Sequence, residues 1–180
     1  MKLLCSGIAD WCKRNGAVSD EDYPIILYGI QVSLNTSLKM MGIFLTGAVL
    51  HQLAAVFLSM AVFSSMRYWT GGWHSKSHLG CFCTMLIPCV CPSLLTGISG
   101  EWMSWGLGCM LVYSIYRIMR YAPCNSKVNP IEDVRILRAK RIGGLAETFA
   151  LGVLSVFCFD QDLRSLVLFP LCVCAVLLKD

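Results

Sequence analysis

Two long blocks of the chain contain no Asp, Glu, Lys or Arg: residues 40–66 and residues 79–100. A helix facing water needs a polar face, and neither block has enough polar residues to supply one. About 20 apolar residues cross a hydrocarbon core. The blocks therefore predict an all-α, polytopic integral membrane bundle. The composition agrees: 56% of residues are hydrophobic and 14% charged, against about 25% charged in ordinary soluble domains.

About six membrane segments can be drawn, over residues 23–38, 40–66, 79–99, 102–116, 142–159 and 163–178. The first contains Gln31 and Asn35 and could instead lie at the interface. With the N-terminus inside, 13 of the 15 basic residues fall on inner segments, and only Lys39 and Arg164 fall outside. That asymmetry predicts a multi-pass membrane protein with the 67–81 and 117–141 loops on the cytoplasmic side. The start MKLLCSGIADWCKRNGAV is interrupted by Asp10, Lys13 and Arg14 and does not read as a signal peptide. We expect one membrane domain over 1–180, with 1–22 as a cytoplasmic N-terminal segment. Most of the eleven cysteines lie in apolar runs, where they read as small packing residues rather than a disulfide framework.

The chemistry concentrates in RYWTGGWHSKSHLGCFC, residues 67–83, which holds two of the three histidines. His74 and Cys81 are seven residues apart. On one continuous helix they would share a face but stand about 10.5 Å apart along the axis, too far for a hydrogen bond. A working Cys-His pair needs a bend, which Gly71, Gly72 and Gly80 would allow. A thiol near a helix N-terminus, with Arg67 and Lys76 nearby, would be a favoured nucleophile. His78, one turn before Cys81, is a second candidate base. A metal reading competes: His74 and His78 are four apart, and Cys81 and Cys83 could complete four ligands. Against it, Cys-x-Cys places its thiols on different helix faces, and a lysine stands between the histidines. The third reading is a helix end with incidental polar residues. From the residues alone, all three remain open.

Arg67, Gly72 and His74, followed seven residues on by Cys81, lie between two apolar segments. In that arrangement they resemble the accessory gene regulator B (AgrB) family of membrane cysteine endopeptidases. Tyr121-Ala122-Pro123, then Asn129-Pro130-Ile131 and a basic helix, are similar to that family's second loop. The resemblance implies Cys81 as nucleophile and His74 as base, with Arg67 and Gly72 in supporting positions and no cofactor; His78 departs from the family pattern and is kept as a supporting residue on its spacing to Cys81. It implies a short, AgrD-like precursor peptide as substrate, cleaved through a Cys81 thioester and closed to a thiolactone or lactone. A homodimer is compatible with it.

Other residues carry weaker expectations. The 117–141 loop holds seven basic and two acidic residues. It reads as a surface for anionic lipid or as a dock for an acidic precursor tail, through Arg135, Arg138, Lys140 and Arg141. A short loop held at a membrane is a poor nucleic-acid site. Glu132, Asp133, Asn125 and Asn129 could orient the imidazole, though solvated loop residues is the plainer reading. Glu147 reads either as a substrate-facing carboxylate or as a partner of Arg141. His51 and Gln52 read as hydrogen-bonding groups between helices. Together with Glu147 they motivate the alternative of a small transporter or peptide exporter.

Overall fold

The structure is a computed structural model. It describes all residues except 1, 17–18, 20, 73–76, 98–100, 125–132, 158–159 and 179–180, and it leaves the side chains of residues 2, 3, 78 and 101 undescribed. Among the described residues there are seven helices: α1 (Lys2–Arg14), α2 (Tyr23–Val49), α3 (Leu53–Thr70), α4 (His78–Leu94), α5 (Glu101–Tyr121), α6 (Val134–Phe157) and α7 (Gln161–Val176). The all-α expectation agrees with this. The polytopic membrane bundle does not: among the described residues no helix is long and apolar enough to cross a membrane.

The reasons are local. The uncharged run 40–66 is not one rod. It breaks between α2 and α3, where His51 takes a positive φ of 55° and the Gln52 amide donates back to the Gly47 carbonyl at 2.8 Å. Elsewhere charge enters the helices themselves. α2 contains Lys39, α5 runs on through Arg117 and Arg120, and α6 opens with Arg135, Arg138, Lys140 and Arg141. α7 is only 16 residues long. His51 is exposed and Gln52 half-buried in the turn, so neither sits at the middle of a helix seam as expected.

The chain forms two compact units, Met1–Leu45 and Thr46–Asp180. In the first, Tyr23 donates its hydroxyl to Asp10 at 2.7 Å, and the Ser19 side chain caps the start of α2 by accepting from the Asp22 amide.

In the second unit α7 is the central helix, touching α3, α4, α5 and α6. Its buried positions, Ser165, Leu166, Val167, Leu168, Pro170, Leu171, Cys174 and Ala175, cover most of its circumference, as a helix surrounded by others requires. Val62, Phe63 and Met66 of α3 and Leu107 and Ile118 of α5 pack on it. Pro170 cannot donate to the Leu166 carbonyl one turn back, and Ser59 of α3 fills that vacancy by donating its hydroxyl at 3.0 Å. α6 comes close to α3 because its Gly143 faces the Trp69 ring. A Cβ there would stand 2.5 Å from the indole.

The two ends of this unit differ in charge. At the α7 N-terminus, Asp160 caps the helix by accepting from Leu163 N at 3.0 Å, and Asp162 accepts from Gly97 N at 2.8 Å. The opposite end gathers the C-termini of α3, α5 and α7 with the first turns of α4 and α6. Arg67, Arg117, Arg120, Arg135, Arg138, Lys140 and Arg141 lie there.

Candidate active site

α3 ends in a glycine turn, and the site is built around it. Thr70, buried, donates its hydroxyl to the Met66 carbonyl at 2.8 Å. The chain then passes through Gly71 (φ 67°) and Gly72 (φ 122°), both in the region that side chains disfavour. Arg67, one turn before, reaches forward and donates from Nη1 to the Gly71 carbonyl at 3.0 Å. The backbone leaving the turn is thereby tied to the helix that precedes it.

The second motif loop locks onto the same turn. After α5, Ala122 and Pro123 are joined by a cis peptide bond. The next residue, Cys124, donates its amide to the Thr70 carbonyl at 2.9 Å and forms a parallel bridge with Gly71. A Cβ on Gly71 would stand 2.6 Å from the Cys124 carbonyl oxygen. The Arg-Gly stretch and the Tyr-Ala-Pro loop, about 50 residues apart in sequence, thus share one backbone ladder.

Cys81 enters from α4. Ser77 is the N-cap: its hydroxyl accepts from the Gly80 amide at 3.0 Å, and its carbonyl accepts from the Cys81 amide at 3.0 Å. Cys81 therefore sits in the first turn, where backbone donors are only partly satisfied and the helix dipole favours negative charge by about 0.3–1 kcal/mol. Cys81 is half-buried and Cys83 exposed. Burial holds the Arg67 guanidinium below its ordinary pKa, and three thiols within electrostatic reach, Cys174, Cys81 and Cys124, act in the opposite direction. The Arg67 charge also lies 5.9 Å from the Phe63 ring centre.

Arg67 and Gly72 are thus packed together, and Cys81 stands in the first turn of the next helix. His74 lies outside the described residues. His78 begins α4, one turn before Cys81, but its side chain is not described. Among the described residues no group of three or more His, Cys, Asp or Glu side chains could hold a metal ion. His74 and the His78 ring, two of the four ligands considered, fall outside that statement.

The four basic candidates on α6 divide into two pairs. Lys140 lies over the Tyr68 ring, 5.3 Å from its centre. Arg141 donates to the Met119 carbonyl near the end of α5 at 3.1 Å. Arg135 and Arg138 are exposed. Glu147 accepts a short hydrogen bond from Ser65 of α3, and its other oxygen is buried without a hydrogen-bond partner among the described residues. It therefore lies in the α3–α6 seam, and Arg141 is engaged elsewhere. Asp133 caps α6 by accepting from the Arg135 amide at 2.8 Å, while Asn125, Asn129 and Glu132 lie outside the described residues.

Two neighbours of the site carry no sequence pattern. Cys124 was findable only as the residue following Tyr-Ala-Pro. Arg117 reaches across to the C-terminus of α7, a contact that no spacing announces. An apolar groove along the outer face of α5, lined by Trp105, Cys109, Val112 and Tyr116 among others, shares no residue with the cluster.

Comparison with known proteins agrees with the motif. The family model described as Accessory gene regulator B matches residues 5–178. No curated protein and no solved structure matches the chain.

Proposed function

The chain belongs to the accessory gene regulator B family, which ties it to quorum-sensing peptide processing with a precursor peptide as partner, and on that premise we propose that it is a cysteine endopeptidase acting through Cys81. The observation that carries this reading is the placement of Cys81 in the first turn of α4, capped by Ser77, on the helix that follows the glycine turn held by Arg67. A nucleophile at a helix N-terminus has free backbone N–H groups close by that can hold the oxyanion of a tetrahedral intermediate.

The Cys81 sulfur attacks a backbone carbonyl of the precursor, and His74 takes the thiol proton. The tetrahedral intermediate collapses, the C–N bond breaks, and His74 passes that proton to the departing amine. The N-terminal fragment remains on Cys81 as a thioester. An internal cysteine or serine of the precursor then attacks the thioester carbonyl. A thiolactone or lactone forms, and the Cys81 thiol is regenerated with a proton returned through His74. Ring closure competes with hydrolysis, so holding the chain end beside its internal nucleophile is the main task of the site. Mixing the protein with precursor and quenching rapidly should reveal a mass adduct on Cys81, equal to the N-terminal fragment and removed by hydroxylamine. An adduct that instead resists hydroxylamine, or sits on another residue, contradicts the thioester.

The family is generally membrane-associated. We place the basic end of the second unit toward the anionic inner face of the bacterial membrane, where each exposed cation contributes about 1 kcal/mol. Arg135 and Arg138 supply an accessible site for an acidic precursor tail, whereas Lys140 and Arg141 serve packing and helix capping. Charge reversal of Arg135 and Arg138 together should raise KM for the precursor about tenfold, or about 1.4 kcal/mol, with kcat little changed. The same reversal at Lys140 and Arg141 should instead lower the unfolding midpoint. An unchanged KM in the first variant removes the docking role.

A further inference from the structure

α1 carries two apolar faces, where a helix packed on one side needs only one. Cys5 and Ala9 are buried and Cys12 is half-buried. Leu4, Ile8 and Trp11 recur at i, i+4 and i+7, about 100° further round the helix. All three are exposed, Leu4 by 60% and Trp11 by 63%. Single exposed apolar residues are ordinary on a protein surface, but a contiguous stripe marks a contact surface. The stripe does not stop at α1. Ile8 borders a shallow groove with Ile25, Ile26 and Ile30 of α2, and Ile25 is 68% exposed. The charges of α1 are one-sided: Lys2, Lys13 and Arg14 stand against one acid, Asp10, which accepts from the Tyr23 hydroxyl. Asp20, Glu21 and Asp22 come only after α1 has ended. Arg14 is exposed and flanks the stripe about 90° round, on the side away from Cys5 and Ala9.

We propose that α1 is an in-plane anchor that lies flat on an anionic phospholipid surface, with Leu4, Ile8 and Trp11 inserted among the acyl chains and Arg14 at the lipid phosphates. The chemistry of the helix fits that occupant. Aliphatic side chains and an indole on one face, with a cation beside them, are what a bilayer interface accommodates. The indole sits where hydrocarbon meets headgroup, and the long Arg14 side chain reaches the phosphates from the flank. Lys13 is on the far side of the helix from the stripe. It adds attraction through the field of the surface, which extends over about 8–10 Å. A helix of 13 residues is about 20 Å long and rests along the surface. The anchor is a property of the first unit and does not depend on the chemistry of Cys81.

Photo-crosslinking tests this on the full chain, reconstituted in vesicles of phosphatidylethanolamine and phosphatidylglycerol. The photoreactive residue p-benzoylphenylalanine replaces Ile8 in one variant and Lys13 in another, and the α1 peptide is weighed after irradiation and digestion. The probe at Ile8 should gain the mass of a phospholipid in at least fivefold higher yield than the probe at Lys13. Equal lipid yields at the two positions would mean a helix immersed on all sides, and overturn the flat placement. A crosslink from position 8 to a second copy, or to another segment of the same chain, shows that protein covers the stripe and overturns the lipid occupant, as does no adduct at all. Should either probe prevent folding, Trp11→Phe decides. Phospholipids with brominated acyl chains quench an indole that they touch, so the fluorescence that this substitution removes should be fluorescence that those lipids quench. A Trp11 signal that brominated lipids leave intact overturns the proposal.

Discussion

Cys81→Ala should abolish precursor cleavage, with a loss on the order of 10³–10⁶-fold, while precursor affinity stays within about twofold of wild type. The argument is chemical. Without sulfur there is no thioester, and the remaining groups can bind and polarise the peptide but cannot form the covalent intermediate. Removing the thiol also takes away only a few atoms at the first turn of α4, whose capping by Ser77 does not involve the side chain of residue 81. The fold should therefore survive, and circular dichroism should be unchanged. Two parallel variants assign the base. His74→Ala should fall nearly as far as Cys81→Ala, and His78→Ala should stay within about fivefold of wild type, as a supporting residue would. Equal losses in both histidine variants would make the base shared, and a loss confined to His78→Ala would exchange their roles. Full cleavage by Cys81→Ala would end the cysteine-peptidase reading.

Gly72→Ala should be strongly damaging for so small a substitution. Its φ of 122° lies where L-residues are strained, at a cost of about 1–3 kcal/mol. The new methyl would also overlap Arg67 Nη1 and press on the Leu177 carbonyl. Neither neighbour can yield freely: Arg67 is held by the Gly71 carbonyl, and the end of α7 is held by Arg117. We expect a stability loss of about 1–3 kcal/mol by denaturant titration and loss of cleavage beyond what that destabilisation explains, since Arg67 is displaced from the Gly71 carbonyl in the turn that leads to His74 and Cys81. Gly108→Ala is the control. It lies inside α5 with open space around it, so a methyl there should be neutral or stabilise by up to about 1 kcal/mol. A Gly72→Ala variant as stable and active as wild type would show that the turn tolerates a side chain and that its packing against Arg67 and Leu177 is not needed.

The candidate site was partly legible. Arg67, Gly72, His74 and Cys81 form a spaced pattern, and local rules explain why Cys81 comes early in its helix: Ser77 is a good N-cap and Gly80 offers its amide to it. The basic run in 135–141 was visible as charge, but its division of labour was not. Lys140 and Arg141 are taken up by Tyr68 and by the Met119 carbonyl, groups supplied by other helices. Glu147 misled for the same reason. Its partner is Ser65 of α3, 82 residues away in sequence.

Hydropathy misled more seriously. A window average registers the absence of charge, not the continuity of a helix. The run 40–66 is uncharged throughout, yet the chain turns at His51, and that turn closes because Gly47 lets Val56 come in against the end of α2. A Cβ there would stand 3.2 Å from the valine. Likewise, Pro170 inside an apolar run gives no hint that Ser59 stands ready to donate to the carbonyl it leaves open.

What the sequence determined by itself was therefore local: helical character, the charge imbalance between the two sets of loops, the glycine turn, and the residue types able to perform acyl transfer. Tertiary structure alone decided where helices stop, that Arg117 of α5 binds the end of α7, and that Cys124 closes onto Gly71. Local propensities act over one or two turns of chain. Donors and acceptors left over at helix ends are matched only when distant segments pack together, and no spacing along the chain encodes which ones will meet.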